Sequence, residues 1–212
     1  MSSVCWSCGA ADAKPVMDRA RFCAACKALQ PSPCDYFDFF ELPRCLAPDV
    51  KALEKRFYAL SRQLHPDLFS RKSAREQEYS LEASAILNDG YRVLKDPVAR
   101  ALYVLKLEGF DIGEQGSKGA PPELLEEVFE LNMALEELRM GDTDALPQLE
   151  AAGLRFEAMR AELDSGLQSN FTAWDAAPDR NTLAEIRALL DRRKYVTNLI
   201  DKAKASHVPD RV

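Results

Sequence analysis

Four of the six cysteines lie within the first 26 residues, in two pairs with the same spacing. Cys5 and Cys8 form one C-x2-C pair, Cys23 and Cys26 form the other, and 14 residues separate the pairs. A C-x2-C pair places two thiolates on one side of a metal ion, so two pairs complete the tetrahedral shell of a structural zinc site. Four protein ligands leave no position for a substrate, which argues against hydrolytic zinc catalysis. The same four thiolates also suit iron.

Two disulfides or a redox-active C-x2-C pair are the alternatives for these cysteines. Disulfides persist in oxidising compartments, and no other feature of the sequence indicates secretion. A redox pair does not need a second copy of itself. The last two cysteines, Cys34 and Cys45, are expected to be lone thiols packed in or near a core.

The second group with chemical potential is His65-Pro66-Asp67. Proline disfavours helical geometry in the residue before it, so a helix ending at Leu64 is followed by an exposed turn. On that helix Lys51, Lys55 and Arg62 lie within about 40° of arc, on the side opposite Leu53. Such a strip alone is typical of a solvated helix face, but beside an exposed turn it indicates a docking surface.

The elements that position these groups are predicted to be almost entirely helical. Apolar residues recur at helical spacing in six segments: from Pro48-Asp49 to Leu64, from Ser73 to about Leu94, from Asp96-Pro97 to Gly109, Pro121–Met140, Thr143–Leu167 and Asn181–Ala205. Strands are expected only in hairpins around the cysteines. The prediction is therefore an all-α protein with a small four-cysteine zinc-binding head, an antiparallel helical hairpin and a C-terminal antiparallel three-helix bundle.

Proline and glycine divide the chain into three predicted domains, 1–33, 34–111 and 112–212. The Gly/Pro-rich stretch from Gly109 to Pro122, with Gly113, Gly116, Gly119 and Pro121, is predicted to be a linker. The three domains carry net charges of +2, −1 and −7, which sum to the −6 of the whole chain. Residues 49–72 form a local basic patch on this acidic protein.

Composition excludes several classes of protein. With 47% hydrophobic residues the chain can bury a core, and its pI near 5.1 argues against general nucleic-acid binding. No apolar run approaches the roughly 18 residues of a membrane span. The first residues do not resemble a secretory signal, so we expect a bacterial cytoplasmic protein, with the mitochondrial matrix left open. No nucleophile–base pair or Gly-rich phosphate loop indicates an enzyme.

Residues 35 to about 108 resemble the J-domain of the DnaJ class. The resemblance rests on Tyr36-Phe37-Asp38-Phe39-Phe40-Glu41-Leu42, Arg56-Phe57-Tyr58-Ala59-Leu60-Ser61, Leu64-His65-Pro66-Asp67-Leu68-Phe69 and the stretch from Ala85-Ile86-Leu87-Asn88-Asp89-Gly90 to Asp96-Pro97. It implies that His65, Pro66 and Asp67 dock on a DnaK-class ATPase and raise its rate of hydrolysis. Lys51, Lys55 and Arg62 would then guide the encounter electrostatically.

More narrowly, the whole chain resembles the HscB family, the J-type co-chaperones of iron–sulfur cluster assembly. The signs are Asp35-Tyr36-Phe37, Arg100-Ala101-Leu102-Tyr103-Val104-Leu105, Gly109-Phe110-Asp111 and the acidic tail. The head, with Cys5-Trp6-Ser7-Cys8 and Phe22-Cys23-Ala24-Ala25-Cys26, is similar to the zinc-bearing N-terminus of some members. The implied partners are an HscA/DnaK-class chaperone and an IscU-like scaffold protein. No nucleic acid or membrane is implied, and a homodimer is left open.

The tail would bind the scaffold protein as client, through the segment Leu124-Leu125-Glu126-Glu127-Val128-Phe129-Glu130-Leu131. Leu125 and Phe129 are i, i+4 neighbours on one helix face, and Phe156 on the next helix is expected to join them. Burial of all three in the bundle core is the alternative.

Two other functions are compatible with parts of the sequence. A zinc-ribbon protein that binds nucleic acid would use the four-cysteine head, although this head carries few basic and aromatic residues. A general folding J-protein with other clients would use the same His-Pro-Asp turn but does not usually carry an acidic three-helix tail.

Overall fold

This computed structural model describes residues 3–12, 21–111 and 122–205. The chain divides into two compact units, Met1–Val104 and Leu105–Val212. Most of the loop between the cysteine pairs and most of the predicted linker, with Gly113, Gly116, Gly119 and Pro121, lie outside the described residues. The division into 1–33, 34–111 and 112–212 stays a prediction.

Helices dominate the first unit, as predicted. They are α1 (Tyr36–Phe40), α2 (Val50–Leu64), a 3₁₀ turn (Pro66–Phe69), α3 (Ala74–Lys95) and α4 (Pro97–Leu107), whose last turn passes into the second unit. The Phe57 ring stacks on Tyr91 at 4.3 Å, and the Ser80 hydroxyl donates to the Leu64 carbonyl at 2.7 Å. The middle of α2 thus faces the late part of α3, and the end of α2 faces the early part of α3, so the two helices form the predicted antiparallel hairpin.

Side-chain caps begin the two helices of this hairpin. The Asp49 carboxylate accepts hydrogen bonds from the amides of Lys51 and Ala52 at the start of α2. Ser73 and Glu76 form a capping box that starts α3. The Ser73 cap lies shortly after the His-Pro-Asp turn and fixes the direction in which the chain leaves it, whereas the Asp49 cap fixes the far end of α2.

A glycine allows α1 to lie close to this hairpin. A Cβ atom at Gly90 would lie 3.0 Å from ring carbons of both Phe40 and Tyr36. Only glycine fits at this crossing without a shift of an aromatic ring.

The second unit contains a three-helix bundle. Its helices are α5 (Leu125–Arg139), α6 (Leu146–Ala176) and α7 (Arg180–Ala205), with short 3₁₀ turns at Pro122–Leu124 and Thr143–Ala145. One continuous cluster of buried side chains joins the three helices, formed by Leu124, Leu131, Ala134, Leu135, Ala145, Leu149, Ala152, Phe156, Val196, Leu199, Ile200 and Ala203. The predicted bundle is confirmed.

One boundary differs from the prediction, because α6 continues to Ala176 instead of ending at Leu167. Phe171 and Trp174 follow Leu167 at spacings of four and three residues, and all three side chains are buried. The apolar stripe therefore extends for two more turns, and no proline or glycine interrupts it before Pro178.

Strands are confined to the head within the described residues. β1 (Ser3–Val4) pairs antiparallel with β2 (Ala11–Asp12), and an isolated bridge joins Phe22 to Leu29. The fold is otherwise all-α, as expected. None of the described helices combines the length and apolar character required to cross a membrane.

Candidate metal centre and docking surfaces

The four cysteines of the two C-x2-C pairs converge on one point. Their sulfur atoms all lie within 4.8 Å of one another. Cys5 Sγ is 3.7 Å from Cys26 Sγ, and Cys8 Sγ is 3.8 Å from Cys23 Sγ. A tetrahedral site with zinc–sulfur distances of about 2.3 Å has sulfur–sulfur edges of about 3.8 Å. The sulfur positions thus fit a tetrahedral metal ion.

Two similar backbone turns hold the sulfur atoms in place. In the first turn the Gly9 amide donates to the Cys5 carbonyl at 3.0 Å, and in the second the Lys27 amide donates to the Cys23 carbonyl at 2.9 Å. Gly9 and Lys27 both have a left-handed backbone, with φ of 71° and 61°. Glycine adopts this conformation without steric cost, whereas lysine rarely does, so the residue type at position 27 does not predict the second turn.

The thiols influence one another electrostatically. Hydrogen bonds from the amides of Cys8 and Ser7 lower the pKa of the Cys5 thiol to about 6. The Ala10 amide also donates to the Cys8 sulfur, but the neighbouring thiols and burial outweigh that bond and raise the pKa of Cys8 to about 12. Since adjacent thiolates repel one another, a bound cation is needed for all four to ionise.

No disulfide joins any of the six cysteines, so the alternative of two disulfides in the head is not observed. Cys34 is exposed and Cys45 is half-buried. Cys34 therefore lies on the surface, and the prediction that places it in or near the core is wrong.

The His-Pro-Asp turn is a single ordered turn on the surface. Pro66 is the first residue of the 3₁₀ turn, and the Leu68 amide donates to the His65 carbonyl at 2.9 Å. The Asp67 amide donates to His65 Nδ1 at 3.3 Å, and an Asp67 carboxylate oxygen lies 3.5 Å from the same nitrogen. The Asp67 side chain is 89% exposed. The turn therefore presents His65 and Asp67 together to solvent.

Helix α3 holds both ends of this turn. Ser80 and Ser84 donate their hydroxyls to the carbonyl of Leu64, directly before His65. The Gln77 amide group donates to the carbonyls of Ser70 and Lys72 at 3.1 and 3.0 Å. The geometry of the turn thus depends on the first three turns of α3.

The predicted cationic strip is exposed on α2. Lys51, Lys55 and Arg62 are all exposed, and Leu53 on the opposite side of the helix is buried. Tyr58, which the sequence patterns did not single out, lies within about 20° of Lys51 and is 56% exposed. The strip is therefore a cationic surface with one aromatic side chain in it.

The three tail residues predicted to bind a client do not share one surface. Leu125 and Phe129 on α5 are 55% and 64% exposed, whereas Phe156 on α6 is 1% exposed and belongs to the bundle core. Phe156 is buried because it lies on the same stripe of α6 as Leu149 and Ala152. Leu125 and Phe129 lie on the face of α5 directed away from Leu131, a core residue.

Met133 extends this exposed apolar row by one more turn. It follows Phe129 by four residues and is 49% exposed. The i, i+4, i+8 spacing of Leu125, Phe129 and Met133 in the sequence is sufficient to predict that Met133 belongs to the same row. Acidic side chains surround the row, among them Glu126 and Glu136, both exposed.

Known proteins are similar to this chain over most of its length. Residues 120–204 match the family model described as the HSCB C-terminal oligomerisation domain. The chain is 33% identical to the iron–sulfur cluster co-chaperone protein HscB of Mus musculus, over 97% of this chain and 83% of the mouse protein. It is 35% identical to a co-chaperone protein HscB homolog of Azoarcus sp., over 81% of this chain and 94% of that protein.

A solved structure resembles this one over almost its full length. The crystal structure of human co-chaperone protein HscB superposes with a TM-score of 0.75 and 30% sequence identity. The match covers 98% of this chain and all of the human chain.

Proposed function

Because this chain belongs to the HscB co-chaperone family, we propose that it delivers an iron–sulfur cluster scaffold protein to an HscA/DnaK-class chaperone and stimulates the ATPase of that chaperone. In this proposal the chain has no catalytic activity of its own. It acts as an adaptor with one docking surface for each partner.

The observation that carries the proposal is the exposed, ordered His-Pro-Asp turn beside the cationic strip. A turn fixed by Pro66 and braced from α3 loses little conformational entropy on binding. The strip of Lys51, Lys55 and Arg62 would attract an acidic surface on the chaperone and raise the rate of encounter.

The central test replaces His65 by Gln and measures ATP hydrolysis by the partner chaperone. Glutamine keeps a polar side chain but cannot reproduce the imidazole, so we expect stimulation to be lost while circular dichroism and metal content stay unchanged. Arg92→Ala, an exposed change at the other end of α3, is the control and should stimulate normally. Unchanged stimulation by His65→Gln would contradict the proposal.

A second test addresses the strip. Replacing Lys51, Lys55 and Arg62 together by Ala should slow association with the chaperone and flatten its dependence on salt, since rim charges act mainly on the association rate. The same number of charges removed at Arg139, Arg155 and Arg192, in the second unit, serves as the control. Equal salt dependence in both triple variants would argue against a guiding role for the strip.

The client surface in this proposal is the exposed row of Leu125 and Phe129 on α5, with Met133 beside them. An apolar row with an acidic rim suits a partner that offers apolar side chains surrounded by basic ones. Because the matching family model describes an oligomerisation domain, a second copy of the chain is the competing occupant of this row. We propose the scaffold protein as occupant.

Leu125→Ala with Phe129→Ala tests the client surface in a pull-down with the scaffold protein. We expect capture to be lost, while stimulation of the chaperone by the co-chaperone alone persists. Leu154→Ala removes a leucine of similar exposure from α6 and is the matched control. If instead the double variant binds the scaffold normally but has a smaller oligomeric mass than the wild type in light scattering, the row binds a second copy of the chain.

In the head, we propose that Cys5, Cys8, Cys23 and Cys26 hold a structural zinc ion. The fourfold sulfur shell would stabilise the head and leave no site for chemistry on a substrate. We also propose that the segments 1–33, 34–111 and 112–212 carry the three roles of metal binding, chaperone docking and client binding.

A further inference from the structure

One aromatic side chain of the four-cysteine head, Trp6, contacts α3. Trp6 lies between Cys5 and Cys8, and its indole N–H donates to the Leu29 carbonyl at 2.7 Å, beyond the second cysteine pair. The position of the indole therefore depends on both metal-binding turns at once.

On the other side, the indole meets two residues of α3. The guanidinium of Arg75 lies over the Trp6 ring at 5.0 Å, and the Tyr79 ring meets it edge to face at 6.0 Å. Arg75 Nε also donates to the Tyr79 hydroxyl at 3.1 Å. The three side chains form a connected cluster, which we call the Trp6 contact.

The Trp6 contact falls on the first two turns of α3, which also hold the His-Pro-Asp turn. Gln77 lies between Arg75 and Tyr79 in sequence and bonds the carbonyls of Ser70 and Lys72. Ser80, the next residue after Tyr79, bonds the Leu64 carbonyl. Loosening of this helical segment would release both ends of the turn.

The head buries few side chains of its own. Among its described residues only Cys5, Ala28 and Leu29 are buried, which is too small a core to fold by itself. Loss of the metal would therefore free Trp6, and with it the contact to α3.

We propose that Trp6, Arg75 and Tyr79 are positioning residues that couple metal occupancy of the four-cysteine head to the order of the His-Pro-Asp turn. The consequence for chaperone docking rests on the function proposed above, but the coupling itself does not. The metal-loaded head braces α3 and keeps the turn in its docking geometry, and the metal-free head does not.

Hydrogen exchange measured by mass spectrometry on the full chain tests the coupling without any chaperone. In the wild type, removal of the metal by a chelator should speed exchange of amides 75–80 by about 5-fold, as expected for loss of cation–π and edge-to-face contacts. Amides of the α6–α7 hairpin are the internal reference and should not change.

Arg75→Ala breaks the contact from the α3 side and leaves the head intact. We expect this variant to retain its metal, to exchange amides 75–80 as fast as the metal-free wild type, and to show no further acceleration when the metal is removed. Arg92→Ala, at the far end of the same helix, should behave as the wild type. If metal removal has no effect on these amides in the wild type, or accelerates them equally in Arg75→Ala, the coupling is refuted.

Trp6→Ala and Trp6→Phe test the same contact from the head. Phenylalanine keeps a ring against Arg75 and should restore most of the protection that alanine loses. In the ATPase assay, Trp6→Ala should raise the concentration needed for half-maximal stimulation by about 3-fold with an unchanged maximum. Suppose that hydrogen exchange shows the expected dependence of amides 75–80 on the metal, but that His65→Gln stimulates the ATPase fully. The coupling would then hold, and the proposed function would be wrong.

Discussion

The four-cysteine head and the tail bundle achieve local order by different means. The head has a few buried apolar residues and four sulfur atoms directed at one point. The bundle has a continuous apolar core that runs from Leu124 to Ala203 along three helices. A segment of about 30 residues cannot bury enough apolar surface to offset its conformational entropy, whereas one of about 100 residues can. A metal ion held by these four cysteines would therefore replace a core that the head is too short to form.

The largest expected effect that tests this comparison is removal of the metal. Binding free energies of about 10–16 kcal/mol for zinc in small Cys-rich domains are also their folding free energies. A chelator should therefore unfold the head, while the bundle keeps its structure. Amide hydrogen exchange of residues 21–30 and of α6 and α7 reports the two regions separately.

Cys8→Ser should reproduce the effect of the chelator, and Cys34→Ser, outside the metal cluster, should leave the metal content unchanged. A head that stays folded without metal would contradict the view that the head, unlike the bundle, needs a metal ion to fold.

The next largest effect is the difference in stability expected when a buried or an exposed phenylalanine of the bundle is replaced by alanine. Phe156→Ala should cost about 3–5 kcal/mol, since it leaves a cavity in the core. Phe129→Ala should change stability by no more than about 0.5 kcal/mol, since its ring is 64% exposed. Urea unfolding followed by far-ultraviolet circular dichroism measures both, and similar losses in the two variants would contradict the assignment of core and surface.

A smaller effect is expected at the two left-handed residues beside the metal ligands. Gly9→Ala should weaken metal retention, because a left-handed backbone costs a side-chain-bearing residue about 1 kcal/mol, although among the described residues nothing beyond its chain neighbours lies within 4 Å of the new Cβ. Lys27→Gly should strengthen retention by a similar amount. Competition with a chromophoric chelator measures the metal affinity of each variant. If both substitutions change the metal affinity in the same direction, backbone strain is not the cause.

The smallest effect concerns the start of α7. The hydroxyl and amide of Thr182, with the amide of Asn181, donate to the Asp179 carboxylate and lower its pKa. A lowered pKa means that the charged carboxylate stabilises the fold above its ordinary pKa of about 3.9, and that this stabilisation is lost as the pH falls through the lowered value. The Tm difference between the wild type and Asp179→Ala should therefore be largest above about pH 5 and shrink in acid. A difference that stays constant from about pH 6 to about pH 2.5 would rule out this titration.

Local pattern was sufficient to predict most of the elements. The caps at Asp49 and Ser73, and the apolar stripes of α2, α3 and α7, appear in the sequence because helix starts and faces depend on residues within one or two turns. The predicted end of α6 at Leu167 is too early, because Phe171 and Trp174 continue the apolar stripe of Leu167 to the end of the helix at Ala176.

Two C-x2-C pairs are enough to predict the four ligands of a candidate metal site, since they leave few other interpretations. Pro66 is enough to predict an exposed turn at His65, since proline ends the helix there. Helical periodicity places apolar residues on a face without saying which faces meet, so the packing of the helices was needed to show that Phe156 is buried while Leu125 and Phe129 are exposed. The tertiary structure alone brought Trp6 onto Arg75 and Tyr79, residues far from it in the chain. Contacts of that separation depend on how whole elements pack, and that information is not contained in any local stretch of sequence.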